Sequence, residues 1–141
     1  MASLTNFVYC LNDERKPPIQ GVGDSINAIG ILSVMTPEFV PGTFSFSIIF
    51  SVLGVDTTKA NELRVIFKDD SQNRVLVNTE NISVPSMPNK DDIQLPAECV
   101  GYNLSMDFRN VVFESNGYYT AEIYLNNESI GSRSIYVKGR R

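Results

Sequence analysis

Hydrophobic and polar residues alternate with a period of two along most of this chain, the spacing that sends successive side chains to opposite faces of a sheet. Phe44, Phe46, Ile48, Phe50 and Val52 share one parity, while Ser45, Ser47 and Ser51 share the other, broken only by Ile49 and Leu53. Such a segment predicts a strand with one buried face. Leu63, Val65 and Phe67 alternate in the same way with Glu62, Arg64 and Lys68. After the polar segment Asp69-Asp70-Ser71-Gln72-Asn73 the alternation resumes through Val75 and Val77, which reads as a hairpin. Tyr102, Leu104, Met106 and Phe108 face one way and Asn103, Ser105 and Asp107 the other. In the C-terminal third, Gly117 opens a strand with Tyr119, Ala121, Ile123 and Leu125 inward and Tyr118, Thr120, Glu122 and Tyr124 outward. Asn126-Asn127-Glu128 turns the chain, and Ile135 with Val137 closes the last strand. Phe7, Tyr9 and Leu11 opposite Val8 and Cys10 supply one more strand at the N-terminus.

Between Asp24 and Met35 two readings compete. Asp24 is a fitting N-cap, and Ala28, Ile31, Leu32 and Met35 follow helical spacing. Against a helix stand β-branched Ile26, Ile29 and Ile31, Gly30 in the middle, and Pro37 and Pro41 beyond. The local pattern favours a strand with a bulge at Gly30. The stretch Pro85 to Pro96, with three prolines and Asp91-Asp92, reads as a long exposed loop. The total is about seven strands and no convincing long helix, which suits a sandwich. Each strand hides one face only, so a second sheet must pack against the first.

Composition narrows this further. At 141 residues, 43% of them hydrophobic, the chain suits one domain with one core. The domain is expected over residues 1–138, followed by a short basic tail at 139–141. No apolar run approaches the roughly 20 residues that cross a bilayer, because Ser or Gly interrupts even Phe44 to Val55. The start Met1-Ala2-Ser3-Leu4-Thr5-Asn6 lacks the basic and apolar regions of a secretory signal, so a cytoplasmic location is expected and no membrane contact. The net charge of -4 is spread without acidic or basic blocks, which gives no footprint for nucleic acid. Only Lys138-Gly139-Arg140-Arg141 is locally basic, and four residues after a last strand read as a frayed end. Cys10 and Cys99 lie in apolar sequence and are expected to be two reduced thiols.

Asn116-Gly117-Tyr118-Tyr119-Thr120-Ala121 resembles the tyrosine corner of immunoglobulin-like domains, where a Tyr two residues before the second core cysteine bonds back to the backbone. Here Ala121 stands where that cysteine would be, and the chain has no Trp. Ser25 to Ser33 resembles the second strand of a family of small prokaryotic β-sandwich proteins known only as a domain of unknown function. Gly117-Tyr118-Tyr119 through Ile130-Gly131-Ser132, with Ile135-Tyr136-Val137 behind it, is similar to that family's closing hairpin, and the hairpin around Asp69-Asp70 falls between them. The resemblance implies an all-β, immunoglobulin-like antiparallel β-sandwich, tips residues 24–35 toward a strand, and transfers no catalytic residue.

Candidate chemistry is thin. With no histidine, Ser-His and Cys-His nucleophilic sites and imidazole metal ligands are absent. Two cysteines far apart make no thiolate zinc site. Calcium would need carboxylates such as Asp69 with Asp70, Asp91 with Asp92 or Asp13 with Glu14, none at EF-hand spacing; acidic pairs otherwise mark turns and solvated loops. Gly21-Val22-Gly23-Asp24-Ser25 lacks the third glycine and the lysine of phosphate loops. Glu122 and Asp107 sit at polar parities, unlike the buried acid of a glycosidase pair. Asn81, Asn103 and Asn127 head sequons that matter only in a secreted chain. What remains is Tyr118, Tyr124 and Tyr136, all outward on the closing hairpin, as a patch for a partner. The expected function is therefore a non-catalytic protein-interaction module without cofactor or metal, its partner another protein or a second copy. A small-ligand or carbohydrate-binding module, rimmed by residues 21–24 and 85–96, is the alternative, and a carboxylate enzyme the remote third.

Overall fold

Alternation of the kind just described has produced strands along nearly all of the chain in the computed structural model, which describes residues 2–16, 25–86 and 94–141. They are β1 (Ser3–Lys16), β2 (Ser25–Leu32), β3 (Val34–Met35), β4 (Gly42–Leu53), β5 (Asn61–Asp69), β6 (Arg74–Asn78), β7 (Ile82–Val84), β8 (Gly101–Phe113), β9 (Gly117–Leu125) and β10 (Glu128–Val137), with one 3-10 turn at Ala97–Cys99. Ten strands among the described residues correct the expected seven. β3 and β7 span only two and three residues, too short to display a period. Residues 25–32 form a strand and not a helix.

Two sheets stack into a β-sandwich. One runs β2-β1-β4-β8; the other runs β3-β10-β9-β5-β6, with β7 also on β5. β3 pairs β10 in parallel, which corrects a purely antiparallel reading, while the other pairs are antiparallel. The chain changes sheets between Leu32 and Val34.

The core follows the predicted parities in the longest strands. Phe46, Ile48, Phe50 and Val52 of β4 face Leu63, Val65 and Phe67 of β5 and Tyr119, Ala121 and Ile123 of β9, all buried. Phe46 lies 5.2 Å from both Phe67 and Phe108, ring centre to ring centre, and Phe113 meets Tyr119 edge-on at 4.9 Å. Tyr119 donates its hydroxyl to the Ser115 carbonyl at 2.7 Å, the backward bond of a tyrosine corner, and Ala121 is fully buried where a disulfide would otherwise stand. Tyr9 reaches across from the first sheet. Its hydroxyl donates to the Arg133 carbonyl at 2.7 Å and accepts from the Ala121 amide at 3.2 Å, residues that oppose each other on β10 and β9.

Parity fails where an asparagine adopts positive φ. Asn6 (φ 52°) lies in the register shift between β1 and β4, and Asn110 (φ 54°) in the shift between β4 and β8. Asparagine tolerates this region better than other side-chain-bearing residues. Past Asn110 the buried positions become Val111 and Phe113, so β8 extends five residues beyond Phe108 with its phase reversed. A shift between Phe67 and Lys68 likewise leaves Val75 exposed, against expectation, while Leu76 and Val77 pack on the core.

Leu11, expected beside Phe7 and Tyr9, is also exposed. β1 pairs with β4 only from Ser3 to Cys10. Beyond that point the β1–β2 hairpin no longer pairs with β4, and Asp13 and Arg15 reach Ser105 and Asp107 on the outer face of β8. Gly30 (φ +70°) marks the bend: Leu11 Cδ1 lies 2.8 Å from where a Cβ would stand. Cys10 opposes Ile31 and Asn12 opposes Ile29, so the strands bend together with no inserted residue, and the expected bulge at Gly30 is absent.

Candidate interaction surface

The outer face of the six-stranded sheet is built by the parity opposite the core. Tyr118 opposes Tyr136, which opposes Val34, and this row from β9 through β10 to β3 places three apolar side chains side by side at one end of the sheet. Tyr118 is 59% exposed and Tyr136 37%, with ring centres 5.0 Å apart in an edge-to-face arrangement. Both rings thus support each other while staying accessible. Thr120 and Ser134 form the next row, their hydroxyls 2.8 Å apart, and Thr120 also donates to Asp70 at 2.7 Å.

Tyr124 stands apart from the pair. Its hydroxyl donates to Glu122 at 3.0 Å, the Arg64 guanidinium lies 4.6 Å from its ring centre, and Glu122 also pairs with Lys68 at 3.1 Å. The Glu122 hydrogen bond, followed by partial burial, raises the Tyr124 pKa. Of the three tyrosines singled out in the sequence, the structure therefore brings two together and uses the third in a charged cluster.

The basic tail is not frayed. The Lys138 amide donates to the Met35 carbonyl at 3.0 Å, Gly139 to the Asn116 side chain at 2.9 Å and Arg140 to the Pro37 carbonyl at 2.9 Å. These bonds extend the line of β10 alongside residues 35–37. Val137 is buried, whereas Tyr136, Lys138 and Arg140 are exposed, so the alternation runs on past the last strand. Lys138, Arg140 and Val34 were missed as neighbours of the tyrosines. The Tyr136-Lys138-Arg140 parity was the available signal, obscured because the segment read as a loose end.

Other candidates do not converge. Asp69 is fully buried and closes the β5–β6 turn by accepting from the Ser71 amide and hydroxyl, whereas neighbouring Asp70 is exposed on the outer face. Among the described residues no group of three or more acidic or cysteine side chains is placed to hold a metal. Asp91, Asp92 and the glycine segment 21–24 lie outside the described residues. Glu122 and Asp107 occupy strands of different sheets, both on outer faces, and share no cleft. Cys10 is buried, but on the outer face, where its thiol donates weakly to the Ser47 carbonyl at 3.7 Å. Burial first, then Asp13, raises its pKa. Cys99 is exposed in the 3-10 turn, contrary to its apolar neighbours in sequence, and both thiols are free. A cavity of about 370 Å³ opens between Gly54–Asp56 and Asn126–Ile130, lined by Asn61, Leu125 and Glu128 and by no aromatic ring. No helix among the described residues is long and apolar enough to cross a membrane.

A family model described as a family of unknown function, DUF6941, matches residues 19–138. The chain belongs to that family. Strands β2 to β10 fall within the DUF6941 match, and β1 precedes it. No curated protein matches the sequence. Among solved structures, the chain is similar to the alkylpurine DNA glycosylase AlkC of Pseudomonas fluorescens bound to DNA containing an abasic site analogue, at 7% identity and a TM-score of 0.49. That likeness covers 97% of this chain and 30% of the glycosylase chain. It is also similar to the sensor domain of the anti-sigma factor RsgI4 of Pseudobacteroides cellulosolvens, at 12% identity and a TM-score of 0.39, over 77% of this chain and 89% of that one. Likenesses this distant say nothing about what the DUF6941 chain binds.

Proposed function

We propose that this DUF6941 protein is a non-catalytic protein-interaction module that docks its partner on the outer face of the six-stranded sheet, at Tyr118 and Tyr136. The observation that carries this reading is the exposed edge-to-face pair of rings, flanked by Val34. Two large amphipathic side chains held in place by each other lose little freedom on binding, and tyrosines are enriched where partners meet. The sandwich itself we read as immunoglobulin-like. The tyrosine corner at Tyr119 supports this, as does a closing sheet in which the last two strands neighbour β5 and β6. Two free thiols agree with a reducing cytoplasm, and the family resemblance implies a prokaryotic one.

The test is capture of a native partner by the intact chain and by the double variant Tyr118→Ala/Tyr136→Ala, with thermal melts confirming that both fold. The wild type should retain a partner that the variant loses. Equal capture by the two proteins would end the proposal, and sedimentation velocity across concentrations decides whether that partner is a second copy.

A further inference from the structure

We infer that the partner presented to Tyr118 and Tyr136 is an acidic segment of a protein, whose carboxylates are received by Lys138 and Arg140; this rests on the docking face proposed above and specifies its chemistry. Three observations carry it. First, Lys138 and Arg140 share the outward parity of Tyr136 and continue its line, so the cations and the rings lie on one face. Second, the segment is held in place before any partner arrives. Its amides at 138, 139 and 140 bond to Met35, Asn116 and Pro37, and the Arg140 side chain reaches the Thr36 hydroxyl at 3.4 Å. Backbone that is already ordered costs less to immobilise on binding.

Third, the charges are unspent. Among the described residues neither Lys138 nor Arg140 has an acidic partner, whereas Arg141 pairs with Glu38 at 3.2 Å. Asp70, an acid that borders the face beside Thr120, accepts from the Thr120 hydroxyl, and Glu122 farther along β9 is paired with Lys68. The contrast with the rest of the molecule is large. Three of the twelve cationic side chains stand in the last four residues, leaving nine against sixteen acidic ones elsewhere. A short acidic segment meets this local positive end, while the bulk of the chain repels a long polyanion, which favours an acidic polypeptide over nucleic acid. The rings, packed edge against face, give an apolar side chain a seat beside the charged contacts.

The probe is a fluorescent peptide of alternating Glu and Leu, with a Gln-Leu peptide and an oligothymidylate of equal length beside it. Each is titrated into the full chain by anisotropy, and bound residues are mapped by amide chemical shifts. The Glu-Leu peptide should bind at least ten-fold more tightly than the Gln-Leu peptide and shift Tyr118, Tyr136 and Lys138. Charge reversal, Lys138→Glu/Arg140→Glu, should erase that preference, and added salt should reduce it. Three results overturn the inference: equal affinity for the two peptides, tighter binding of the oligothymidylate, or no shift at these residues with any probe. Peptides that bind alike, but only while Tyr118 and Tyr136 are present, leave the tyrosine face standing and remove its acidic partner. Binding that survives Tyr118→Ala/Tyr136→Ala removes both.

Discussion

Asp69 shows how a polar residue can be worth its burial. It is inaccessible at the end of β5, and burial by itself would raise its pKa, but the Ser71 hydroxyl and amide, Ser115 and the Gln72 amide outweigh that and hold it below the ordinary carboxylate value. A folded pKa below the unfolded one means that the ionised group stabilises the protein above the unfolded value near pH 4, and that this contribution is lost as the pH falls through the folded pKa. Thermal melts over a pH series should show the wild type losing stability on acidification. Asp69→Asn should be less stable at neutral pH by about 1–3 kcal/mol, the range for an impaired buried hydrogen-bonding site, and should respond less to acid. Parallel curves for the two proteins would remove Asp69 from this role. The two cysteines make a second residue-scale contrast. Cys10 is shielded beneath the bent hairpin with its pKa raised, and Cys99 is exposed. Ellman's reagent should find one fast thiol in the native chain, none in Cys99→Ser, and two after unfolding. Rapid labelling of Cys10 would mean that the hairpin opens.

At the scale of elements, what could be read from the sequence depended on length and on uninterrupted phase. β4 and β9 were legible because Phe46 to Val52 and Tyr119 to Leu125 keep their large core side chains at one parity, although Ser47, Ser51 and Thr120 at the other parity are buried as well, against the expectation of a single buried face. The tyrosine corner was legible from Gly117 to Ala121 because its residues are adjacent. The phase reversal at Asn110 was not, since an asparagine with positive φ looks in sequence like any polar position, and β3 is too short to carry a pattern at all. Half of the candidate face was foreseen in Tyr118 and Tyr136. Lys138 and Arg140 were not, because only the amide bonds to Met35 and Pro37 turn a tail into an extension of β10. The bend at Gly30 is the most exacting of these local features, for it combines φ +70° with Leu11 at 2.8 Å from the place a methyl group would take. Gly30→Ala must therefore strain the backbone and push Leu11 aside, at about 1–2 kcal/mol for the conformation and contact together. Denaturant titration measures this. A neutral or stabilising effect would show that β2 bends without needing glycine.

For the molecule as a whole, the strand outside the family match bears on whether the fold stands alone. β1 lies between β2 and β4 in its sheet, buries Leu4 and Tyr9, and through the Tyr9 hydroxyl ties the first sheet to β9 and β10. Removing it would leave β2 without a neighbour and expose the edge of β4 from Ser47 to Leu53. The side chains lost carry about 1.5–3 kcal/mol each of apolar burial. The Arg133 carbonyl and Ala121 amide would also lose their shared partner, at about 1–3 kcal/mol for each group left buried. A domain of this size has only about 5–15 kcal/mol of net stability to lose. A chain limited to residues 19–138 should therefore fail to give a dispersed amide spectrum or a cooperative melt, while adding a synthetic β1 peptide should restore both. A well-folded 19–138 chain would show instead that β4 and β2 close the sandwich without β1, and that β1 is an addition to a complete fold.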